Sequence, residues 1–463
     1  MTKLTTGFIC ILLTAVLVSG DSYAASSDSV AINWPNWRGP DYSGAAKTGN
    51  PPTTWSETEN IKWKVEVPGD SMSTPIVWDN KIIFLTAIEV EASAAAADRN
   101  IVVTPVAFGR NRGGNRGGRS GFGGGGGGQQ SEYKFDVVCM DRETGKIIWQ
   151  KTAIQATPHE GKHNTGSYAA NSAVTDGKNI WVGFGSRGVY CYDMDGNKIW
   201  DRDLGKLRIL MGFGEGSSVA LAGNALIVLM DQEDQSVIYA LNKDTGDILW
   251  QKNRDEGTSW ATPLPVEVDG KLQVVTSATN QVRSYDVETG DLVWYCTGQT
   301  RNVIPSPVKG FGMAIITSGF GGNKIQAIEL GHTGNLDGTD AIKWQTSSRT
   351  TPYVPSPLLY GDKFYVLFNN NAVLSCYDAK TGKPHFESKN LTGAGGYYAA
   401  PTGAGEKVYL ASQNGVTVVV KNSETFEILA SNKLDDKFDA SPVVVGDELI
   451  LKGHEYIYCI VEK

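Results

Sequence analysis

The most overtly reactive stretch is His159-Glu160-Gly161-Lys162-His163, which matches the H-E-x-x-H pattern of zinc peptidases. That chemistry needs a helix, which puts both imidazoles on one face for zinc and leaves the glutamate to activate water. Pro158 precedes the motif and Gly161 interrupts it, so the stretch reads as a loop. The sequence therefore assigns no catalytic residue and no metal site, and His159 and His163 remain as polar candidates for a ligand site. Asn335-Leu336-Asp337-Gly338-Thr339-Asp340 has the residue types of a calcium loop. It lacks the 12-residue spacing and the final Glu, and reads as an elongated hairpin turn.

Whatever these residues do, a repeated unit must position them. Residues 236–250, S-V-I-Y-A-L-N-K-D-T-G-D-I-L-W, alternate as a strand, turn at Asn242-Lys243-Asp244-Thr245-Gly246 and start back toward Trp250. Gly246 suits the left-handed position that closes such a hairpin. Variants recur at 137–149, 190–200, 282–294 and 374–386. Trp149, Trp200, Trp250, Trp294, Trp344 and Phe386 are 51, 50, 44, 50 and 42 residues apart, the period of a four-stranded propeller blade. No 3.6-residue amphipathic pattern competes. Blade starts at Ser73-Thr74-Pro75, Ala169-Ala170, Gly216-Ser217, Ala261-Thr262-Pro263, Pro305-Ser306-Pro307, Pro355-Ser356-Pro357, Ala399-Ala400-Pro401 and Ala440-Ser441-Pro442 predict an all-β, eight-bladed propeller of four-stranded antiparallel blades.

The two ends are incomplete in complementary ways. Residues 61–64 read as an outer strand without a hairpin partner, and the last repeat stops after three strands at 456–460. The N-terminal strand is expected to complete the last blade and close the ring. The chain thus divides into a signal peptide over 1–24, an extended arm over 25–59 and the propeller over 60–463. The leader rests on Lys3, the apolar run 8–18 and Ser22-Tyr23-Ala24, and it implies a periplasmic or secreted protein. No later stretch is long enough to cross a bilayer. Blade one is interrupted at 87–131 by an Ala run, Arg-Gly-Gly clusters and six consecutive glycines, a composition that reads as a disordered loop. The net charge of -8 speaks against nucleic acid as a partner.

Export makes disulfides available, so the cysteines bear on the fold. Cys139, Cys191, Cys376 and Cys459 share one repeat position, where other copies have Ala240, Ser284, Ala327 and Val420. That column asks for a small residue and places the thiols on separate sheets, so they are expected to be free. Just ahead of the inner strands lie Tyr168, Trp260, Tyr353, Tyr397, Tyr398 and Phe438, with Glu215, Arg301, Arg349 and Asp439 nearby. Such a channel mouth suits a flat ligand or a peptide segment. The alternative is that the rings pack on one another and on the arm as a plug.

The motif hydrophobic-Asp-x-x-Thr-Gly-x-hydrophobic-hydrophobic-Trp resembles the pyrroloquinoline quinone (PQQ) repeat family, over residues 60–463. Its members include quinoprotein alcohol dehydrogenases and the BamB outer-membrane assembly factor. Asn36-Trp37-Arg38-Gly39-Pro40, Pro158-His159-Glu160-Gly161 with His163, and residues 184–193 are similar to exported PQQ-like propellers of environmental bacteria. The dehydrogenase resemblance implies PQQ in the channel, calcium beside it, a catalytic Asp and commonly a disulfide between adjacent cysteines. This chain has no Cys-Cys pair and no Cys-x-x-Cys-His haem site, and none of its acids matches the catalytic motif. The BamB resemblance implies a lipid-anchored, non-catalytic scaffold, yet Cys10 lies inside the apolar run and not after it. The expectation is an exported, monomeric, non-catalytic binding or scaffold propeller without a cofactor, taking a protein or small-molecule ligand on one face. The alternative is a PQQ-dependent or other oxidoreductase, for which Glu215, Asp231, Arg283 and Arg301 are the first residues to test.

Overall fold

The turn after each third strand shows how the repeat folds. In the computed structural model, which describes residues 32–91, 131–347, 350–368 and 370–463, Asp141 Oδ1 accepts the Thr144 amide and hydroxyl, both at 2.7 Å. Asp378 holds Thr381 in the same way. These bonds draw both aspartates below the usual carboxylate range. The glycine that follows, Gly145 or Gly382, takes φ near 70° and sends the chain back.

The returning strand carries the tryptophan. It sits opposite the small-residue column, in the pairs Cys139 with Trp149, Cys191 with Trp200, Ala240 with Trp250 and Cys376 with Phe386. The ring then reaches the next blade, where only a turn glycine leaves room for it. A Cβ on Gly196 would stand 2.7 Å from Trp149, one on Gly246 2.6 Å from Trp200, and one on Gly382 2.5 Å from Trp344. Each indole N–H donates to a carbonyl of the same turn: Trp149 to Met194, Trp200 to Lys243, Trp250 to Val287 and Trp344 to Ala379. The motif therefore joins neighbouring blades as well as closing hairpins.

Eight sheets result. Blade 1 comprises Ile76–Trp78, Lys81–Glu89, Tyr133–Asp141 and Ile147–Ala156. Blade 8 takes Val443–Val445, Glu448–Lys452 and Tyr456–Ile460 from the C-terminal end and Ile61–Glu66 from the N-terminal end. The closing strand is antiparallel, with Trp63 opposite Cys459. Trp63 also makes the inter-blade contact, against Gly145 and the Arg142 carbonyl of blade 1. Blade 7 has no tryptophan. Its neighbour's third and fourth strands come from opposite ends of the chain, so no hairpin turn exists there to receive one. In blade 5 the calcium-like stretch is indeed a long turn between Lys324–Glu329 and Ile342–Thr346, and Gly334–Asn335 adds in parallel to the outer strand of blade 4 beside Trp294.

One boundary shifts. Ala87, Ile88 and Glu89 pair with Phe135, Lys134 and Tyr133, and Ala87 also exchanges backbone bonds with Asp70. Blade 1 thus extends past residue 87, where composition had placed the start of the loop, because the strand Tyr133–Asp141 satisfies its backbone on one side and Asp70 bridges Ala87 on the other. The 92–130 portion, the leader expected over 1–24 and Arg349 lie outside the described residues. The arm runs from blade 1, where Trp34 pairs with Val77, past blade 2 (Asn36 with Val174) to blade 7 (Ala45 with Gly403), and then to the closing strand.

All five cysteines of the described residues are free and buried. Burial pushes the Cys139, Cys191, Cys296 and Cys376 thiols up to about 12. Thiol counting in denaturant without reductant should find all five reactive, and a missing pair would contradict the fold. Deleting 32–66 removes the arm and the closing strand and should abolish cooperative unfolding. Exchanging 92–130, whose composition offers little to bury, for a short Gly-Ser turn should lower Tm by no more than a few degrees. Comparable losses in the two variants would contradict this account of closure.

Candidate functional site

A ring of hydroxyls surrounds the axis at the entry to the first strands. The amides of Thr74, Ser172, Thr262 and Ser306 donate to the hydroxyls of Ser172, Ser218, Ser306 and Ser356 in the next blade, at 2.8 to 3.0 Å. Ala400 donates to Ser441 Oγ, and Ser441 donates across the chain ends to Thr74 Oγ1, at 3.1 and 3.0 Å. Blade 7 offers Ala400 in place of a hydroxyl, and there the arm intervenes. Arg38 is fully buried and spans blades 6 and 7 through the carbonyls of Pro357 and Pro401. Gly44 leaves the space its guanidinium fills. With carbonyls and no carboxylate around it, desolvation lowers its pKa to about 9.

Next to Arg38, Trp37 donates its indole N–H to Thr262 Oγ1 at 3.2 Å. The arm's other pairings, with Val77 and Val174, fall beyond the hydroxyl ring along the first strands. Trp37 therefore lines the arm side of an axial cavity of about 470 Å³. Its wall carries Trp260, bonded to the Gly214 carbonyl, and a stacked pair, Phe320 on Tyr353, with centroids 4.8 Å apart. Across the opening, Tyr398 Oη and Thr165 Oγ1 lie 3.1 Å apart, joining the 157–167 loop to the segment before blade 7. His163 Nδ1 is 2.8 Å from the same Thr165 hydroxyl, and its ring stands edge-on to Phe213.

Two carboxylates reach this cavity, and both are already engaged. Glu215 accepts the Ser186 amide and hydroxyl at 2.6 and 2.5 Å, and burial raises its pKa. Asp439 accepts Gln413 Nε2 at 2.8 Å and His454 Nε2 at 2.6 Å. Among the described residues no Lys or Arg lines the cavity. None of the described residues form a His, Cys, Asp or Glu group able to hold a metal ion.

Of the residues singled out from sequence, His163, Glu215, Trp260, Tyr353 and Tyr398 converge on this cavity. Tyr168 and His159 line a small adjoining hollow, where Tyr168 packs on Tyr133. Glu160 Oε2 accepts the Ile209 amide, so the histidine-rich motif is a loop whose imidazoles serve different hollows. Arg301 is exposed, runs past Gly321 and does not line the cavity. Tyr397 is fully buried with Leu358, Tyr365 and Leu410, since consecutive side chains of a non-helical segment face opposite ways. Asp231 and Arg283 are structural: Asp231 pairs with Arg254 at 2.7 Å, both fully buried, and Arg283 pairs with Glu256 and Asp255. Sequence reasoning missed Phe213, Phe320 and the cavity-facing role of Trp37. The serines of the ring were visible as blade starts, without their hydrogen bonding.

A family model described as outer membrane protein assembly factor BamB matches residues 133–294 and 186–424. No curated protein matches the sequence. Among solved structures, BamB from Moraxella catarrhalis is 14% identical, with TM-score 0.47, covering 71% of this chain and 89% of its own. A europium-containing methanol dehydrogenase is 10% identical, with TM-score 0.57 and coverages of 91% and 89%. Quinohemoprotein alcohol dehydrogenase from Comamonas testosteroni is 10% identical, with TM-score 0.59 and coverages of 94% and 82%.

Neighbouring tyrosines should behave oppositely. Tyr397→Ala is expected to cost about 3 kcal/mol or more by opening a core cavity, and Tyr398→Ala less than about 1 kcal/mol. Equal losses in denaturant unfolding would contradict the assignment of Tyr398 to the mouth. The hydrogen bond that His454 donates to Asp439 raises the imidazole above its ordinary 6.5. That pair therefore contributes fully below about pH 6.5, and its contribution is lost as pH rises through the folded value. An NMR titration should place His454 above 6.5, and Asp439→Asn should bring it down.

Proposed function

This chain belongs to the family of PQQ-like β-propellers, and from that premise we propose that it is a non-catalytic binding propeller whose ligand enters the aromatic mouth. The observation that carries this reading is the aromatic-lined axial cavity with its protein-satisfied carboxylates. PQQ is a tricarboxylate, and a cavity whose described lining offers no Lys or Arg gives it no counter-charge. Calcium takes six to eight oxygen ligands. Glu215 and Asp439 already spend their oxygens on Ser186, Gln413 and His454. The residues present therefore do not fit a resident quinone with calcium.

A mouth of half-buried rings over a preformed hollow suits recognition, as aromatic anchors bury much area at little entropic cost. The leader-like N-terminal sequence supports an exported location, and the described residues contain no helix long and apolar enough to cross a membrane. We expect the protein to act as a monomer, since closing the ring requires only one chain.

Purified protein incubated with PQQ and calcium should show no saturable change in the quinone spectrum and no alcohol- or sugar-dependent dye reduction. Calcium-dependent reduction of the dye would overturn the non-catalytic reading.

A further inference from the structure

We propose that the axial cavity recognises a small neutral polyhydroxylated ring, a mono- or disaccharide, an inference that rests on the binding reading above and narrows it. The first reason is a set of unused donors. Ser172, Ser218, Ser306, Ser356 and Ser441 each accept an amide N–H from the neighbouring blade. Among the described residues, none of these five hydroxyls donates its own proton to a protein acceptor, and all of them line the cavity. A hydroxyl with one lone pair filled keeps a donor proton and a second acceptor site, which is what a ligand hydroxyl needs in return. A purely apolar guest would bury these donors without partners.

The second reason is the wall. Trp260, Tyr398 and the Phe320–Tyr353 stack rise above the hydroxyl ring. An aromatic face packs against the C–H face of a sugar ring while the ring's hydroxyls remain free for the donors below.

The third reason is charge. An anion finds no described cation in the lining. Lys162, in the same loop as His163, turns instead to Asp70 and the Gly166 carbonyl. Arg38 lies behind Trp37 and spends its guanidinium on carbonyls. A cation finds only carboxylates whose oxygens already have protein donors. A neutral guest escapes the desolvation cost that either charge would carry. The volume of about 470 Å³ lies within the range of small-molecule sites.

The test titrates full-length mature protein with glucose, galactose, maltose and cellobiose, and with gluconate, glucosamine, indole and tetramethylammonium as contrasts. Calorimetry and the fluorescence of Trp37 and Trp260 supply two readouts. At least one neutral saccharide should bind with 1:1 stoichiometry, and gluconate or glucosamine should bind about tenfold more weakly than glucose. Tyr398→Ala, with an unchanged melting curve, should weaken saccharide binding about tenfold, and Trp260→Ala should do the same. Saturable binding of indole or tetramethylammonium with no saccharide bound would overturn this inference and leave the binding reading standing. Equal binding of charged and neutral sugars would overturn the charge argument and the inference with it. No binding by any probe would overturn both.

Discussion

The structure depends on an indole fitted against a backbone that has no Cβ. Trp63, Trp149, Trp200, Trp250 and Trp344 each rest on a turn glycine of the following blade and donate their N–H to that turn. The glycine must take positive φ for its own hairpin and must be bare for its neighbour's tryptophan, so the two requirements coincide on one residue. Separation of the blades would expose the indole and leave a carbonyl unpaired. The Thr-Gly and Trp of the repeat are thus one device read in two adjacent copies. Two of the boundaries without it carry another contact: the added strand at Gly334–Asn335 between blades 4 and 5, and Phe386 on Phe426 between blades 6 and 7.

Inside this outer ring runs the inner one, made of hydroxyls. Both sets of contacts continue across the chain ends, the outer by Trp63 on blade 1 and the inner by Ser441 on Thr74. The arm does more than lead to the closing strand. Arg38 bridges the blade pair that Ala400 leaves without a hydroxyl, and Trp37 closes one end of the axis. The same residues that hold the ring together therefore also line the axial hollow.

Much of the fold was legible because the repeat is dense in local signals. The Asp, Gly and Trp spacing gave the hairpins and the blade count, and the matched ends gave the closing strand. The shared column of Cys139, Cys191 and Ala240 gave small residues, and the structure adds the reason, a tryptophan opposite. The start of the blade 1 loop was misplaced because Ala87-Ile88-Glu89 adjoin the Ala-rich stretch, yet pair with Tyr133–Phe135, with Asp70 bridging Ala87 on the other side. The site was less legible. Tyr397 and Tyr398 look alike in sequence, and only the local backbone decides which faces the core. Arg283 and Asp231 are charged residues of the kind that signals chemistry, yet burial pairs them with Glu256 and Arg254. The inner hydroxyls act only as a set, which no single blade reveals.

The central claim is that two sets of inter-blade bonds, indoles on turn glycines outside and hydroxyl and Arg38 contacts inside, make eight sheets one cooperative body around a formed cavity. Native-state hydrogen exchange tests it most directly, at the amides of Thr74, Ser172, Thr262, Ser306 and Ser441, which point across blade boundaries. The account predicts that these amides exchange together, with the free energy of global unfolding, and that deleting the closing strand removes their protection around the whole ring. Exchange through separate openings, with the amides of each blade protected to a different degree, would contradict it.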